Sequence, residues 1–75
     1  MEVNQVLDAK GLACPMPIVR TKKAMDTLES GQVLEVQVTD KGALADLTAW
    51  SAAAGHNLLD HKEEAGVLTF FIKKG

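Results

Sequence analysis

The stretch Val33–Thr39, VLEVQVT, alternates without a break: Leu34, Val36 and Val38 fall on one side, Glu35 and Gln37 on the other. A period of two with one apolar side is the signature of a strand with one buried and one wet face. The segments on either side change period. Upstream, from about Pro15 to Glu29, Ile18, Thr21, Met25 and Leu28 recur at helical spacing, and Ser30-Gly31 supplies a stop signal. Downstream, Asp40 is placed to cap a second helix whose buried stripe is read as Ala43, Leu47, Trp50 and Ala54, with Gly55 where a C-terminal cap belongs.

Further out, VNQVLD (Val3–Asp8) reads as a short first strand. Its buried face is either Val3/Gln5/Leu7 or Asn4/Val6/Asp8. At the other end, HNLLDHKEE and VLTFFIKK flank Ala65-Gly66 and read as an antiparallel hairpin. The order β-α-β-α-β-β, with right-handed crossovers, predicts an α/β two-layer sandwich: a four-stranded mixed sheet with two helices on one face and the other face open. Residues 1–75 are read as a single domain, since no repeat, linker or low-complexity run interrupts them.

At this size a domain buries only about 60% of its unfolded surface. One cysteine excludes an internal disulfide, and no Cys/His cluster has zinc-ligand spacing, so burial alone is expected to hold the fold, with no metal and no cofactor. The first ten residues carry Glu2, Asn4, Gln5 and Asp8 and lack the basic and apolar regions of a signal peptide. No segment has the apolar length to span a bilayer. A cytoplasmic monomer is expected, and the net charge of −2 argues against direct nucleic-acid binding.

The chain's one thiol, Cys14, lies in GLACPMPIVRTKK (Gly11–Lys23), at or one step before the start of the first helix. Pro15 fits the first helical position, because its missing N–H would have had no intrahelical acceptor. The helix can equally start at Pro17 with Met16 as its cap, because a residue before proline avoids helical angles. In both registers Cys14 sits near the positive end of the helix dipole, where a thiolate is favoured. Pro15 and Pro17 stiffen the loop and remove two donors, leaving the N–H groups of Met16 and Ile18 to point at the sulfur. The ordinary alternative is a buried, inert cysteine, but the position lies outside either apolar stripe. With no second cysteine to resolve a disulfide and no evident base or oxyanion hole nearby, the thiol reads as a carrier.

The segment LDAKGLACPMPIVRTKKAM (Leu7–Met25) resembles the signature of the TusA/SirA-like sulfur-carrier family, in which Cys-Pro-x-Pro opens the first helix. ADLTAWSAAAGH (Ala45–His56) is similar to that family's second helix and following Gly-His. The resemblance implies the same β-α-β-α-β-β sandwich. It also implies that Cys14 carries sulfur as a persulfide, received from a donor such as a cysteine desulfurase or a rhodanese and passed to an acceptor protein. Members serving tRNA thiolation often place an acidic residue between the prolines. Met16 stands there, which is more like the TusA-like domains found beside rhodaneses in persulfide handling.

In the first helix Arg20, Lys22 and Lys23 crowd the N-terminal half while Asp26 and Glu29 lie toward the end, the reverse of what the dipole favours. Lys22/Asp26 and Lys23/Asp26 pairs would offset part of that cost. Projected at 100° per residue, Met16, Val19, Arg20 and Lys23 point away from the core, an outward stripe suited to partner docking. A non-catalytic interaction or regulatory module would use the same surface without loading sulfur; an RNA-binding role is opposed by the acidic balance. His56 and His61, five apart on a strand, should face opposite sides, and His56 is expected to interact with the carbonyls ending the second helix. Trp50 is read as a core anchor, Asp40 as a cap, and Lys73 and Lys74 as solvated.

Overall fold

The computed structural model describes residues 2–75. Its elements follow the expected order: β1 (Gln5–Ala9), α1 (Met16–Asp26), β2 (Val33–Val38), α2 (Ala43–Ala53), β3 (Asn57–Glu64) and β4 (Val67–Lys73). The sheet runs β1-β2-β4-β3, with β1 parallel to β2 and the other pairs antiparallel. Leu34, Val36 and Val38 of β2 and Leu68, Phe70 and Ile72 of β4 share one buried face, and Ala24, Met25 and Leu28 pack on it together with Ala43 and Leu47. Both helices therefore cover the same side of the sheet. Burial of each large side chain among these contributes about 1.5–3 kcal/mol.

The ambiguity in β1 resolves in favour of Gln5, Leu7 and Ala9: Ala9 is fully buried, whereas Val6 is exposed beside Asp8 on the open side. The register explains this, since Leu7 lies opposite Val36 and Ala9 opposite Val38, both core residues.

Four expectations need correction. First, α1 ends at Asp26 rather than Glu29. Thr27 donates both its N–H (3.1 Å) and its hydroxyl (2.6 Å) to the Ala24 carbonyl, and the Leu28 N–H bonds Met25, so the chain tightens and leaves the helix while Leu28 still reaches the core. Second, α2 is capped by Gly42; Asp40 instead closes the preceding turn, its carbonyl accepting from the Ala43 N–H at 3.1 Å. Third, the buried stripe of α2 is Ala43, Leu47 and Ser51, spaced four apart; Trp50 is half-buried against the core edge and Ala54 is exposed. Fourth, Lys74 is not a solvated tail: its ammonium donates to the Leu28 carbonyl at 2.6 Å, and its backbone bonds Gly31 and Gln32.

The histidines also depart from the alternation argument. A bulge between Leu58 and Asp60 shifts the side-chain parity of β3, so His61 lies opposite Phe70 with the two rings stacked 6.1 Å apart. His56 precedes β3, tilts against Trp50 at 5.3 Å, and accepts the Gly75 N–H at Nδ1. It closes α2 through its backbone rather than its ring: its N–H reaches the Ser51 carbonyl and that of Gly55 the Ala52 carbonyl, with Gly55 at φ +80°. This is a Schellman arrangement, and it bears out Gly55 as the helix stop.

Candidate functional site

The thiol is presented by the six-residue connection from β1 to α1, and both ends of that connection are anchored. On the β1 side, the Lys10 N–H donates to Asp8 Oδ1 (3.0 Å), the local turn that an aspartate favours. Gly11 follows at φ +80°, a conformation glycine adopts without penalty, and its N–H reaches Thr39 Oγ1 at 2.9 Å. Leu12 packs half-buried against the core. On the α1 side, Pro17 is buried and its carbonyl accepts the hydroxyl of buried Thr21 at 2.7 Å. Between these anchors Cys14 is exposed, which removes the reading of an inert core cysteine.

Neither candidate register for the helix start holds, each missing by one residue. Helix geometry begins at Met16, with Pro15 at the N-cap and Pro17 one residue inside. The Cys14–Pro15 peptide is cis. Among the described residues no side chain caps the helix, and the Pro15 carbonyl accepts the Val19 N–H at 3.1 Å. The Met16 N–H, expected to face the sulfur, is instead taken by the Ala13 carbonyl at 2.9 Å, which closes a turn around Cys14. Pro17 has no N–H. Of the two donors expected near the thiol, Ile18 is the one not engaged in this turn, and its side chain is half-buried against the core.

The outward stripe of α1 is where projection placed it. Met16 is 37% and Val19 41% exposed, and Arg20 and Lys23 are exposed beside them. The opposite side, with Pro17, Thr21, Ala24 and Met25, is buried. The contribution of Thr39 was invisible in the sequence. Only the parallel pairing of Ala9 with Val38 brings the residue after β2 against the loop after β1. Among the described residues no group of three or more His, Cys, Asp or Glu side chains could hold a metal, and no helix is long and apolar enough to cross a membrane.

A two-layer β-α-β-α-β-β sandwich that holds one exposed cysteine at the mouth of its first helix defines a narrow class of small α/β proteins. Residues 5–74 match the family model described as sulfurtransferase TusA. The chain is 67% identical over 75 residues to the YrkI protein of Bacillus subtilis, covering all of both. It is 47% identical over 73 residues to the sulfur carrier protein TusA of Allochromatium vinosum, covering 97% of this chain and 96% of that one. A crystal structure of a SirA-like protein from Desulfitobacterium hafniense superposes with a TM-score of 0.83 at 30% identity, covering 95% of this chain and 97% of that one. The chain belongs to the TusA family.

Proposed function

We propose that this protein is a sulfur carrier that holds sulfane sulfur as a persulfide on Cys14 and relays it to an acceptor protein. The observation that carries this reading is the exposure of a lone thiol in a loop anchored at both ends, by half-buried Leu12 and buried Pro17. In loading, the Cys14 thiolate attacks the terminal sulfur of a donor persulfide. The donor's S–S bond breaks, its thiol leaves with the electron pair and takes up the proton, and Cys14 becomes Cys–S–SH. Unloading is the same step with the acceptor's thiolate attacking. No oxidant is consumed, and with no second cysteine in the chain the persulfide waits for an external thiol.

Pro15 and Pro17 shape the loop, Met16 closes its turn, and Ile18 supplies the first-turn N–H toward the sulfur. The donor is a protein such as a cysteine desulfurase or a rhodanese, and donor and acceptor dock on Met16, Val19, Arg20 and Lys23. The protein acts in the cytoplasm as a monomer, and apolar Met16 between the prolines favours persulfide handling over tRNA thiolation. Intact-mass analysis after incubation with a persulfide donor tests the reading. Wild type should gain one sulfur atom and Cys14→Ser none; equal gain in both would refute it.

A further inference from the structure

A cavity of about 290 Å³ opens at the same end of the sheet as Cys14, lined by Thr39, Lys41, Leu44, Glu63, Gly66 and Leu68. Its position follows from the strand register. Ala9, Val38, Leu68 and Glu63 form one row across the four strands, and the cysteine loop leaves from Ala9. At about 4.8 Å per strand, the Leu68 floor lies roughly 10 Å from the root of that loop. The two are physically joined, because Thr39, which lines the cavity, accepts the Gly11 N–H at 2.9 Å. That bond uses a lone pair of the Thr39 oxygen and leaves its proton free for a second partner.

The chemistry of the lining is specific. Leu44 and Leu68 supply apolar surface, and Leu44, the second residue of α2, is 39% exposed, off the buried stripe of Ala43, Leu47 and Ser51. Lys41, from the connection between β2 and α2, and Glu63, from β3, bring one cation and one anion to the same space. A carboxylate fits Lys41 and the Thr39 hydroxyl, while an ammonium fits Glu63. The volume suits a small molecule at the lower end of ligand-site sizes. A ligand must also bring its own sulfur past the root of the loop to Cys14, and a peptide extends by about 3.3–3.6 Å per residue.

We infer that this cavity binds the zwitterionic end of a short peptide thiol and of its persulfide, holding the sulfur toward Cys14. This deepens the carrier reading and rests on it. Small-molecule loading then follows the same balanced exchange: peptide–S–SH and the Cys14 thiol give Cys14–S–SH and the free peptide thiol. It adds a direct route between the carrier and the low-molecular-weight thiol pool, separate from docking on α1.

The test uses the full chain. Amide NMR of the Cys14→Ser protein is titrated with glutathione, and with glutathione whose amine is acetylated and carboxylates esterified. The inference requires saturable shifts at Thr39, Lys41, Leu44, Gly66 and Leu68 with the first ligand and none with the blocked one. Lys41→Glu and Glu63→Lys should each weaken binding about tenfold, with spectra otherwise unchanged away from the cavity. Shifts that are absent, indifferent to blocking, or centred on the outer face of α1 overturn it. In parallel, with Cys14 intact, Lys41→Glu should lower the rate of loading from glutathione persulfide about tenfold relative to loading from inorganic polysulfide. If both rates keep their wild-type ratio, the cavity assignment fails and the carrier reading stands; if neither source loads wild-type Cys14, the carrier reading itself fails.

Discussion

Ser51 is buried in α2 with its hydroxyl oxygen unpartnered among the described residues. A buried hydroxyl without a hydrogen bond costs about 1–3 kcal/mol, and serine is also a poorer helix former than alanine. Ser51→Ala should therefore raise stability by about 1 kcal/mol, read as a higher urea midpoint at unchanged slope. A lower midpoint would show that the oxygen has a partner. The same residue shows why the stripe of α2 was misread. Ala45, Ala49, Ala52, Ala53 and Ala54 surround it, so hydrophobicity varies little around the helix and does not mark which side faces the sheet. Contact with the sheet decided the phase, burying a serine and leaving Ala54 in solvent. Cys14 was legible for the opposite reason. It lies outside either apolar stripe, in a loop just before a helix, and the structure leaves the thiol exposed.

At the scale of elements, the β3–β4 hairpin turns through Ala65 at φ +52° and Gly66 at φ +80°, both left-handed, the pattern of a two-residue type I′ turn. Glycine accepts that conformation, but alanine is strained there by about 1–2 kcal/mol. Ala65→Asn should stabilise the protein by about 0.5–1 kcal/mol, since asparagine tolerates the left-handed region. Gly55→Ala, at the φ +80° position that ends α2, should destabilise it by about 1 kcal/mol or more. Thermal melts of the two variants should move in opposite directions, and movement in the same direction would contradict the turn assignments. Both turns were legible because Gly55 and Ala65-Gly66 interrupt periodic runs. The bulge at Leu59 was not. It inserts a residue without a glycine or proline to mark it, and a period-two reading cannot detect the change of side that brings His61 beside Phe70. The end of α1 was hidden likewise, because Leu28 keeps the helical spacing after the helix has stopped.

For the whole molecule, the parallel pairing of β1 and β2 places the cysteine loop and the residue after β2 at one end of the sheet, and the antiparallel pairing of β4 brings the hairpin turn there too. That clustering depends on strand order, which the sequence leaves open until the register is known. Because α1 stops at Asp26, Lys23 lies in its last turn, where the dipole favours a cation, and the reversed charge order read from the sequence does not hold. The outer face still extends from this end with Met16, Val19 and two exposed cations, Arg20 and Lys23. On the docking assignment they steer an acidic partner, an effect on association rate that salt screens. Replacing Arg20 and Lys23 by Glu should slow sulfur transfer between proteins severalfold at low ionic strength, and less at high, relative to loading by inorganic polysulfide. An unchanged ratio at every salt concentration would make the stripe ordinary solvated surface. The central claim, that Cys14 relays sulfur rather than merely reacting with it, is tested most directly by loading the protein with isotopically labelled sulfane sulfur, removing the donor and adding an acceptor protein. The label should leave this chain and appear on the acceptor's cysteine in proportion to the amount loaded, with Cys14→Ser transferring none. Label that stays on Cys14, or reaches the acceptor equally from Cys14→Ser, would contradict the account.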